Sequence, residues 1–348
     1  MNLRFEPRSR GGLACVALAT FVASLLACGG AAREAPRAKV RVAVMLPYLT
    51  YAPIVLAQEG GDFEAQGLDV EFVSMRSSTG AVPLLISGDL DVLPAYLGPG
   101  LFNAIARGQD VRFVADGGRF ATDGCTHLAL IGRVDVLQDG QPVSSRHDLS
   151  LSARAGQSSE LFAERALEQA GFPLDRLRTV AIPNEAELAA LEKGALDLAV
   201  MGSPWLPLPP TSTGVRILAR EQDVLPGFQS TVLVYGPRLL EREPEVGKQF
   251  MVAYLEGLRR YNRGKTRENL EVLSRATGLD PGLLERTCWP PIGEDGRIDP
   301  GSIQEYQVWA ARKGYLDQLL PERRWWDPRF VDHAARIFGS AGTEGSGP

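Results

Sequence analysis

The stretch 40–73 changes its hydrophobic period twice, and this change constrains the fold more than any other feature of the sequence. Residues 40–46 form an apolar run of strand length, and apolar side chains at helical spacing follow it. Glycines end that helix and supply the turn into a second strand at residues 69–73. A strand, a helix and a strand in succession need a parallel sheet, and ligands bind beyond the carboxyl ends of such strands. The pattern therefore predicts an α/β fold with a ligand cleft near residues 47–51.

The same alternation of strands and helices recurs in the second part of the chain. Two helix N-termini, at residues 77–80 and 157–159, each follow a predicted strand and begin with small polar residues. A later strand at residues 231–235 suits a return to the first sheet. We therefore expect two lobes that face one ligand and a short disordered tail. The predicted bounds are 40–118 with 228–338 for lobe 1, 119–227 for lobe 2 and 339–348 for the tail.

Length and composition support two globular lobes and exclude one class of partner. The chain has 348 residues, of which 45% are hydrophobic and 23% charged, as in ordinary globular domains. Its net charge is -5 and its pI is about 5.5, so it has no basic surface of the kind that binds nucleic acid. We expect no nucleic-acid partner.

The N-terminus has the features of an export signal. Three arginines precede the apolar segment 13–27, which has signal-peptide length and is short for a membrane span of about 20 residues. The four residues that end at Cys28, Leu-Leu-Ala-Cys, resemble the lipobox of bacterial lipoproteins. We predict a lipoprotein signal peptide at residues 1–27, lipidation of Cys28 and a tether at residues 28–39. An ordinary signal peptide and an uncleaved anchor are the alternatives.

Two cysteines remain once Cys15 leaves with the signal peptide and Cys28 carries lipid. These are Cys125 and Cys288, which lie far apart in the sequence. Export to an oxidising compartment makes a disulfide chemically possible, but a single pair so distant in sequence is weak evidence for one, and two buried free thiols are the alternative.

Several segments together resemble one protein family. The first half carries YAPIVLAQEGGDFEAQGLDVEFV, SGDLDV and NAIARGQDVRFVA, and the second carries GQSSELFAERALEQAGF and NEAELAALEKGALDLAVMGSPW. These segments resemble the periplasmic solute-binding proteins of ABC importers, in the branch for aliphatic sulfonates, nitrate, taurine and thiamine-pyrimidine precursors. The resemblance implies a two-lobed, type II-like periplasmic-binding-protein fold. Each lobe would be a mainly parallel sheet flanked by helices, and closure of the lobes would trap a ligand between them.

The resemblance also implies a set of ligand-binding residues, most of them at the carboxyl ends of predicted strands. Serines and threonines that precede helices are also common helix caps, which is the alternative role for several of them. By position, lobe 1 offers Tyr48, Ser77, Ser78 and Thr79, lobe 2 offers Gln157, Ser158, Ser159, Ser203 and Trp205, and Gln229 lies near the return crossing.

The sequence leaves two ligand classes open. Helix N-termini and hydroxyl groups bind anions, and Arg76 would add a positive charge. Glu160 argues against a strong anion, because it already places negative charge in the first turn of its helix. Aromatic side chains would instead sandwich a flat heterocycle such as a pyrimidine, and those near the cleft are Tyr48, Tyr51, Tyr96 and Trp205.

The sequence carries no catalytic motif that we recognise. His127, His147 and His333 lack the spacing of metal ligands, and GxSxG, P-loop and GxGxxG motifs are absent. We expect a monomeric binding protein without cofactor, metal or catalysis, whose partners are the permease of an ABC importer and, through Cys28, a membrane. Two alternatives remain, namely an enzyme of the same fold from thiamine-pyrimidine or menaquinone biosynthesis, and a sensing module for a membrane receptor.

Overall fold

The structure is a computed structural model that describes residues 36–138, 141–142, 148–206 and 214–343. The predicted signal peptide, the lipidation site Cys28, the tether as far as residue 35, His147 and residues 344–348 lie outside the described residues.

Strands and helices alternate along most of the described chain. The strands are β1 (Ala38–Val44), β2 (Leu68–Ser74), β3 (Val92–Tyr96), β4 (Arg112–Arg119), β5 (Leu128–Arg133), β6 (Leu137–Gln138), β7 (Gln141–Pro142), β8 (Leu149–Ser152), β9 (Leu177–Val180), β10 (Leu198–Gly202), β11 (Val215–Arg220) and β12 (Gln229–Tyr235). The α-helices are α1 (Ala52–Glu59), α2 (Asp62–Ala65), α3 (Ser78–Ser87), α4 (Pro99–Ala106), α5 (Ser158–Gln169), α6 (Asn184–Glu192), α7 (Glu221–Val224), α8 (Pro244–Asn262), α9 (Arg267–Thr277), α10 (Pro281–Arg286), α11 (Pro300–Arg312), α12 (Glu322–Trp325) and α13 (Arg329–Thr343).

Two five-stranded sheets form the centres of the two lobes. The first has the order β2-β1-β3-β12-β4, in which β1 is parallel to β2 and β3, and β12 runs antiparallel to its neighbours. The second has the order β11-β5-β10-β8-β9, in which β5 is the antiparallel strand. Four strands of each sheet therefore share one direction. The predicted α/β fold, with two mainly parallel sheets flanked by helices, is confirmed.

The predicted β1-α1-β2 unit is held in place by the long helix α8. A Cβ atom on Gly257 would lie 2.1 Å from the carbonyl oxygen of Pro53, so only glycine lets α8 approach α1 this closely. The buried side of α8 matches the amphipathic pattern of the sequence and contains Phe250, Met251, Tyr254, Leu255 and Leu258.

The chain passes between the two sheets twice, between β4 and β5 and again between β11 and β12. Helix α11 adds a third link between the lobes. Its Tyr306 hydroxyl donates to the carbonyl oxygen of Gly156 at 2.5 Å, while its ring stacks on Phe102 of lobe 1. The indole N–H of Trp309 donates to Glu164 of α5 at 2.8 Å. The C-terminal part of the chain therefore contacts both lobes.

Cys125 and Cys288 form a disulfide, which resolves the choice that the sequence left open. Cys125 lies in the first crossing between the sheets, and Cys288 follows α10. Their Cα atoms are 5.6 Å apart although 163 positions separate them in the sequence. The bond therefore fixes the first crossing to the C-terminal part of lobe 1.

The last helix extends further than the sequence indicated. Helix α13 continues to Thr343 and so enters the segment 339–348 that the sequence predicts as a tail. Phe338 packs against the core, and the guanidinium carbon of Arg259 lies 3.5 Å from its ring centroid. An anchored aromatic residue supports the helix beyond it, which a pattern of small residues does not reveal. Among the described residues, no helix is long and apolar enough to cross a membrane.

Candidate ligand-binding site

A cavity of about 400 Å³ lies between the two lobes, where the carboxyl ends of their strands face each other. Lobe 1 contributes residues that end or follow β1, β2 and β3, and lobe 2 contributes residues that end or follow β8, β9 and β10. This is the place where open parallel sheets bind ligands. The volume suits a small molecule.

Six of the ten predicted ligand-binding residues line this cavity. The Ser77 hydroxyl accepts a hydrogen bond from the backbone N–H of Gly80 at 3.1 Å and so caps α3. The Ser159 hydroxyl is buried and has no hydrogen-bond partner in the described structure. Ser159 is therefore better placed than Ser77 to bind a ligand. The six residues are Tyr48, Ser77, Ser78, Thr79, Gln157 and Ser159.

Ser158 and Ser203 do not line the cavity. The Ser158 hydroxyl donates to the carbonyl oxygen of Ser230 at 3.3 Å, and its backbone N–H donates to Leu97 at 3.1 Å. Both acceptors belong to lobe 1, so Ser158 joins the lobes. The backbone N–H of Ser203 donates to the carbonyl oxygen of His127 at 2.8 Å, which places Ser203 in the turn after β10.

Trp205 contacts a residue of the cavity lining but does not itself line the cavity. It is outside the lining, but its ring meets the Tyr48 ring edge to face, with centroids 4.8 Å apart. Tyr48 in turn contacts Tyr96 edge to face at 6.4 Å. Trp205 therefore contacts the aromatic wall through Tyr48.

Gln229 belongs to a buried network at the crossings and not to the cavity. Its side-chain N–H₂ donates to Asp116 Oδ1 at 2.6 Å and to the carbonyl oxygen of Thr231 at 2.8 Å. Its amide oxygen accepts from the backbone N–H of Asp299 at 3.1 Å. Burial raises the pKa of Asp116, and the Arg119 guanidinium opposes that rise. Gln229 therefore has its polar atoms engaged within the protein and no exposed surface.

The single acidic residue among the described lining residues is Glu187, near the start of α6. Only 3% of it is exposed. Its Oε1 accepts from the Ser152 hydroxyl at 2.7 Å, whereas its Oε2 has no hydrogen-bond partner among the described residues. Burial raises the pKa of Glu187 to about 7, although the Ser152 hydrogen bond and the nearby Arg154 lower it. An incompletely paired carboxyl group therefore borders the cavity.

Two arginines also border the cavity, one from each lobe. Arg76 follows β2 and Arg154 follows β8, and both side chains are exposed. The Arg154 guanidinium lies near Tyr48 and Glu187 and donates to the Asn184 side-chain oxygen at 3.4 Å. These guanidinium groups suit an anionic or hydrogen-bond-accepting part of a ligand.

Three tyrosines give the cavity an aromatic wall on the side of lobe 1. Tyr48, Tyr51 and Tyr96 all line it. The Tyr51 hydroxyl donates to the carbonyl oxygen of Pro94 at 3.3 Å. Burial raises the pKa of each of these phenols, so all three are neutral at physiological pH. The wall therefore offers apolar ring faces with neutral hydroxyl groups, which suits a flat or partly apolar ligand.

A carboxylate of the chain already lies at the N-terminus of α5, where the helix dipole is positive. Glu160 Oε2 accepts from the backbone N–H of Gly156 at 2.6 Å, and the Tyr315 hydroxyl donates to the same oxygen at 3.0 Å. Glu160 is 2% exposed. The negative charge of Glu160 weakens this helix end as an anion site, which agrees with the argument from its sequence position.

Sequence reasoning missed Ser152, Arg154 and Glu187 as residues of the site. Ser152 and Arg154 lie at and just beyond the end of β8, and that position is the signal that would have found them. Glu187 lies one turn into a helix that also carries Glu185, and the spacing alone does not show which carboxylate faces the cleft. No described lining residue is histidine or cysteine, and no cluster suited to a metal ion occurs among the described residues.

The solved structures with the same fold include several ligand-binding proteins. The ligand-binding component of an ABC-type import system from Staphylococcus aureus, with zinc bound, matches at TM-score 0.71 and 15% identity, over 86% of this chain and 100% of that chain. The alkanesulfonate-binding protein SsuA from Xanthomonas axonopodis pv. citri, bound to MOPS, matches at TM-score 0.65 and 18% identity, over 84% of this chain and 100% of that chain. The periplasmic nitrate-binding protein NrtA from Synechocystis PCC 6803 matches at TM-score 0.66 and 14% identity, over 87% of this chain and 89% of that chain. At these identities the likeness shows the fold.

The sequence itself identifies the family. No curated protein matches the chain in sequence. The family model described as NMT1/THI5 like, however, matches residues 49–261, a range that contains Tyr51 and Tyr96 of the aromatic wall, both helix N-termini at the cavity and Glu187. Because that range is more than half of the 348 residues, the chain belongs to the NMT1/THI5-like family.

Proposed function

We propose that this protein is an exported, lipid-anchored solute-binding protein that captures a small molecule between its lobes and delivers it to an ABC importer. The observation that carries the proposal is the cavity between the two sets of strand ends, with two buried polar atoms that have no partner within the described structure. The fold shared with the binding components of transport systems supports the same role.

The cavity walls give a physical reason for capture by closure. A ligand stabilises the closed state only if it contacts both lobes, because it must bind that state better than the open one. Tyr48 and Arg76 belong to lobe 1, and Arg154 and Glu187 belong to lobe 2. A molecule that fills the cavity touches both sets, so its binding energy favours closure.

The proposed ligand is a small polar or aromatic molecule. The two guanidinium groups suit a sulfonate, nitrate or taurine-like solute. The three tyrosine rings suit a pyrimidine or another vitamin precursor. Both features line one cavity, so a ligand that combines an aromatic or aliphatic body with an acceptor group would use both.

A thermal-shift screen of the purified mature protein tests the binding role. The compounds are sulfonates, nitrate, taurine, pyrimidines and thiamine precursors. A ligand at about 100 times its dissociation constant stabilises a protein by about 2.7 kcal/mol, which is readily measured. A specific shift would support the proposal, and the absence of any shift across these classes would count against it.

Binding without catalysis is proposed from the chemistry of the lining residues, which offer no described histidine or cysteine. Recovery of each bound compound and its mass spectrum would test this proposal. An unchanged mass after prolonged incubation is expected, and conversion to a product would support the enzyme alternative.

The lipid anchor is proposed from the sequence around Cys28. Replacing Cys28 by Ser should move the exported protein from the membrane fraction to the soluble fraction, because a lipid chain supplies the proposed attachment. A protein that is soluble without the substitution would contradict the anchor and leave the binding role intact.

A further inference from the structure

Among the described residues that line the cavity, Glu187 carries a carboxyl oxygen for which the described structure supplies no donor. Glu187 Oε2 is buried and unpaired, whereas Oε1 of the same carboxyl group accepts from Ser152. A buried polar atom without a partner is unfavourable, so native structures seldom contain one without a reason. Glu187 borders the cavity, and a molecule bound there is therefore able to supply the missing donor.

The charges around the carboxyl group define the complementary ligand. Arg154 lies close to Glu187, and Arg76 borders the same cavity from the other lobe. Two guanidinium groups and one carboxylate suit a ligand with an acceptor or acidic part and, elsewhere, a hydrogen-bond donor. A carboxylate binds a cationic or polarised N–H more strongly than a neutral hydroxyl group.

Resting on the proposed function, we infer that Glu187 selects ligands that carry a nitrogen-bound hydrogen, such as an amino group or a protonated ring nitrogen. This N–H donates to Oε2, while the acceptor or acidic part of the ligand faces Arg76 and Arg154. Nitrate and amine-free alkanesulfonates lack the donor and bind weakly to this chain. Ser159, whose buried hydroxyl also has no partner in the described part of the chain, offers the ligand a second polar group at the same cavity.

Two kinds of ligand carry such an N–H group, namely an aliphatic aminosulfonate and an amino-substituted ring. Matched pairs of compounds, with and without the amino group, distinguish the two kinds. The first pair is 2-aminoethanesulfonate and 2-hydroxyethanesulfonate, and the second is 4-aminopyrimidine and pyrimidine. Calorimetric titration of the mature protein at pH 8 gives the affinities. We expect the amino member of one pair to bind at least tenfold more tightly than its partner, and the pair in which this occurs identifies the source.

The variant Glu187→Gln replaces the carboxyl group by an amide of nearly the same shape and should reduce that preference to less than threefold. Glu185→Gln is the matched control, because Glu185 lies on the same helix, is exposed and does not line the cavity. It removes the same charge and should retain the preference. Circular dichroism verifies that both variants fold. The comparison of the two compounds within each pair uses the unmodified protein, so it stands even if a variant fails to fold.

The outcomes separate this inference from the proposed function. If nitrate, ethanesulfonate or the hydroxyl compound binds as tightly as the amino compound, the selection by Glu187 is refuted while the binding role stands. The same holds if Glu187→Gln retains the preference. If no compound in either pair and none of the simple anions binds, the result counts against the binding role and the inference together.

Discussion

Replacing Glu187 by Gln should make the ligand-free protein more stable at pH 8 and leave its stability nearly unchanged at pH 4. Burial raises the pKa of Glu187 from 4.5 to about 7 in the folded protein. A carboxyl group whose pKa is raised by folding contributes its full stability below the unfolded pKa, and that contribution is lost as the pH rises through the folded pKa. The window of change is therefore pH 4.5 to 7. Glutamine does not ionise and avoids the loss.

The size of the effect follows from the shift. About 2.5 pKa units at about 1.36 kcal/mol each give about 3 kcal/mol of destabilisation at pH 8. For a chain of this size, that free energy corresponds to a melting temperature about 5 °C higher for the variant. The groups that face Glu187 are Arg154 and Ser152, which lower its pKa, and Glu185, which raises it. All three groups belong to the protein itself, so the stability measurement needs no ligand.

Urea denaturation between pH 4 and pH 8 measures the predicted difference. The control Glu185→Gln should follow the unmodified protein across this range, because Glu185 is exposed. Parallel stability curves for Glu187→Gln and the unmodified protein would refute the reasoning, since they would show that Glu187 titrates alike in the folded and unfolded states.

Three further predictions concern residues outside the cavity lining. Replacing Trp205 by Ala should weaken ligand binding about tenfold, or about 1.4 kcal/mol, because the aromatic wall loses the support of its ring. Calorimetry measures the dissociation constant; Phe at position 205 should restore most of the affinity, and an unchanged dissociation constant for the Ala variant would contradict the support. Replacing Cys125 and Cys288 by Ser should lower the free energy of unfolding by about 2–4 kcal/mol in urea, and reductant should then have no further effect; equal stability would contradict a formed disulfide. Replacing Gln229 by Ala should cost about 2–3 kcal/mol, because Asp116 loses a buried donor; calorimetry should show unchanged ligand affinity, and a large loss of affinity would return Gln229 to the site.

The fold was predictable because local sequence patterns specify it. The change from strand to helix spacing and back between residues 40 and 73 predicts the β1-α1-β2 unit, and the structure contains that unit. Polar residues that follow strands predict one edge of a sheet, and six of the ten predicted residues line the cavity at that edge. Neither inference needs a contact between distant parts of the chain.

Distant contacts determine the surroundings of Gln229 and the length of α13, which local sequence patterns do not show. Gln229 has its donor group on Asp116, 113 positions away, and its oxygen on the backbone of Asp299, 70 positions away. Helix α13 continues into the predicted tail beyond Phe338, whose ring contacts Arg259 of another helix. Hydrophobic periodicity reports on the face of one element, so it contains no information about these partners.

Glu187 shows why the sequence described the place of the site better than its chemistry. Successive residues of an α-helix are about 100° apart around its axis, so Glu185 and Glu187 point to different sides of α6. One is exposed and the other is 3% exposed at the cavity. Which of the two faces lobe 1 depends on the rotation of α6 against the second sheet, and packing fixes that rotation. The same packing raises the pKa of Glu187 and leaves Oε2 unpaired, so the orientation of one helix determines both the pH dependence of stability and the ligand chemistry that we propose.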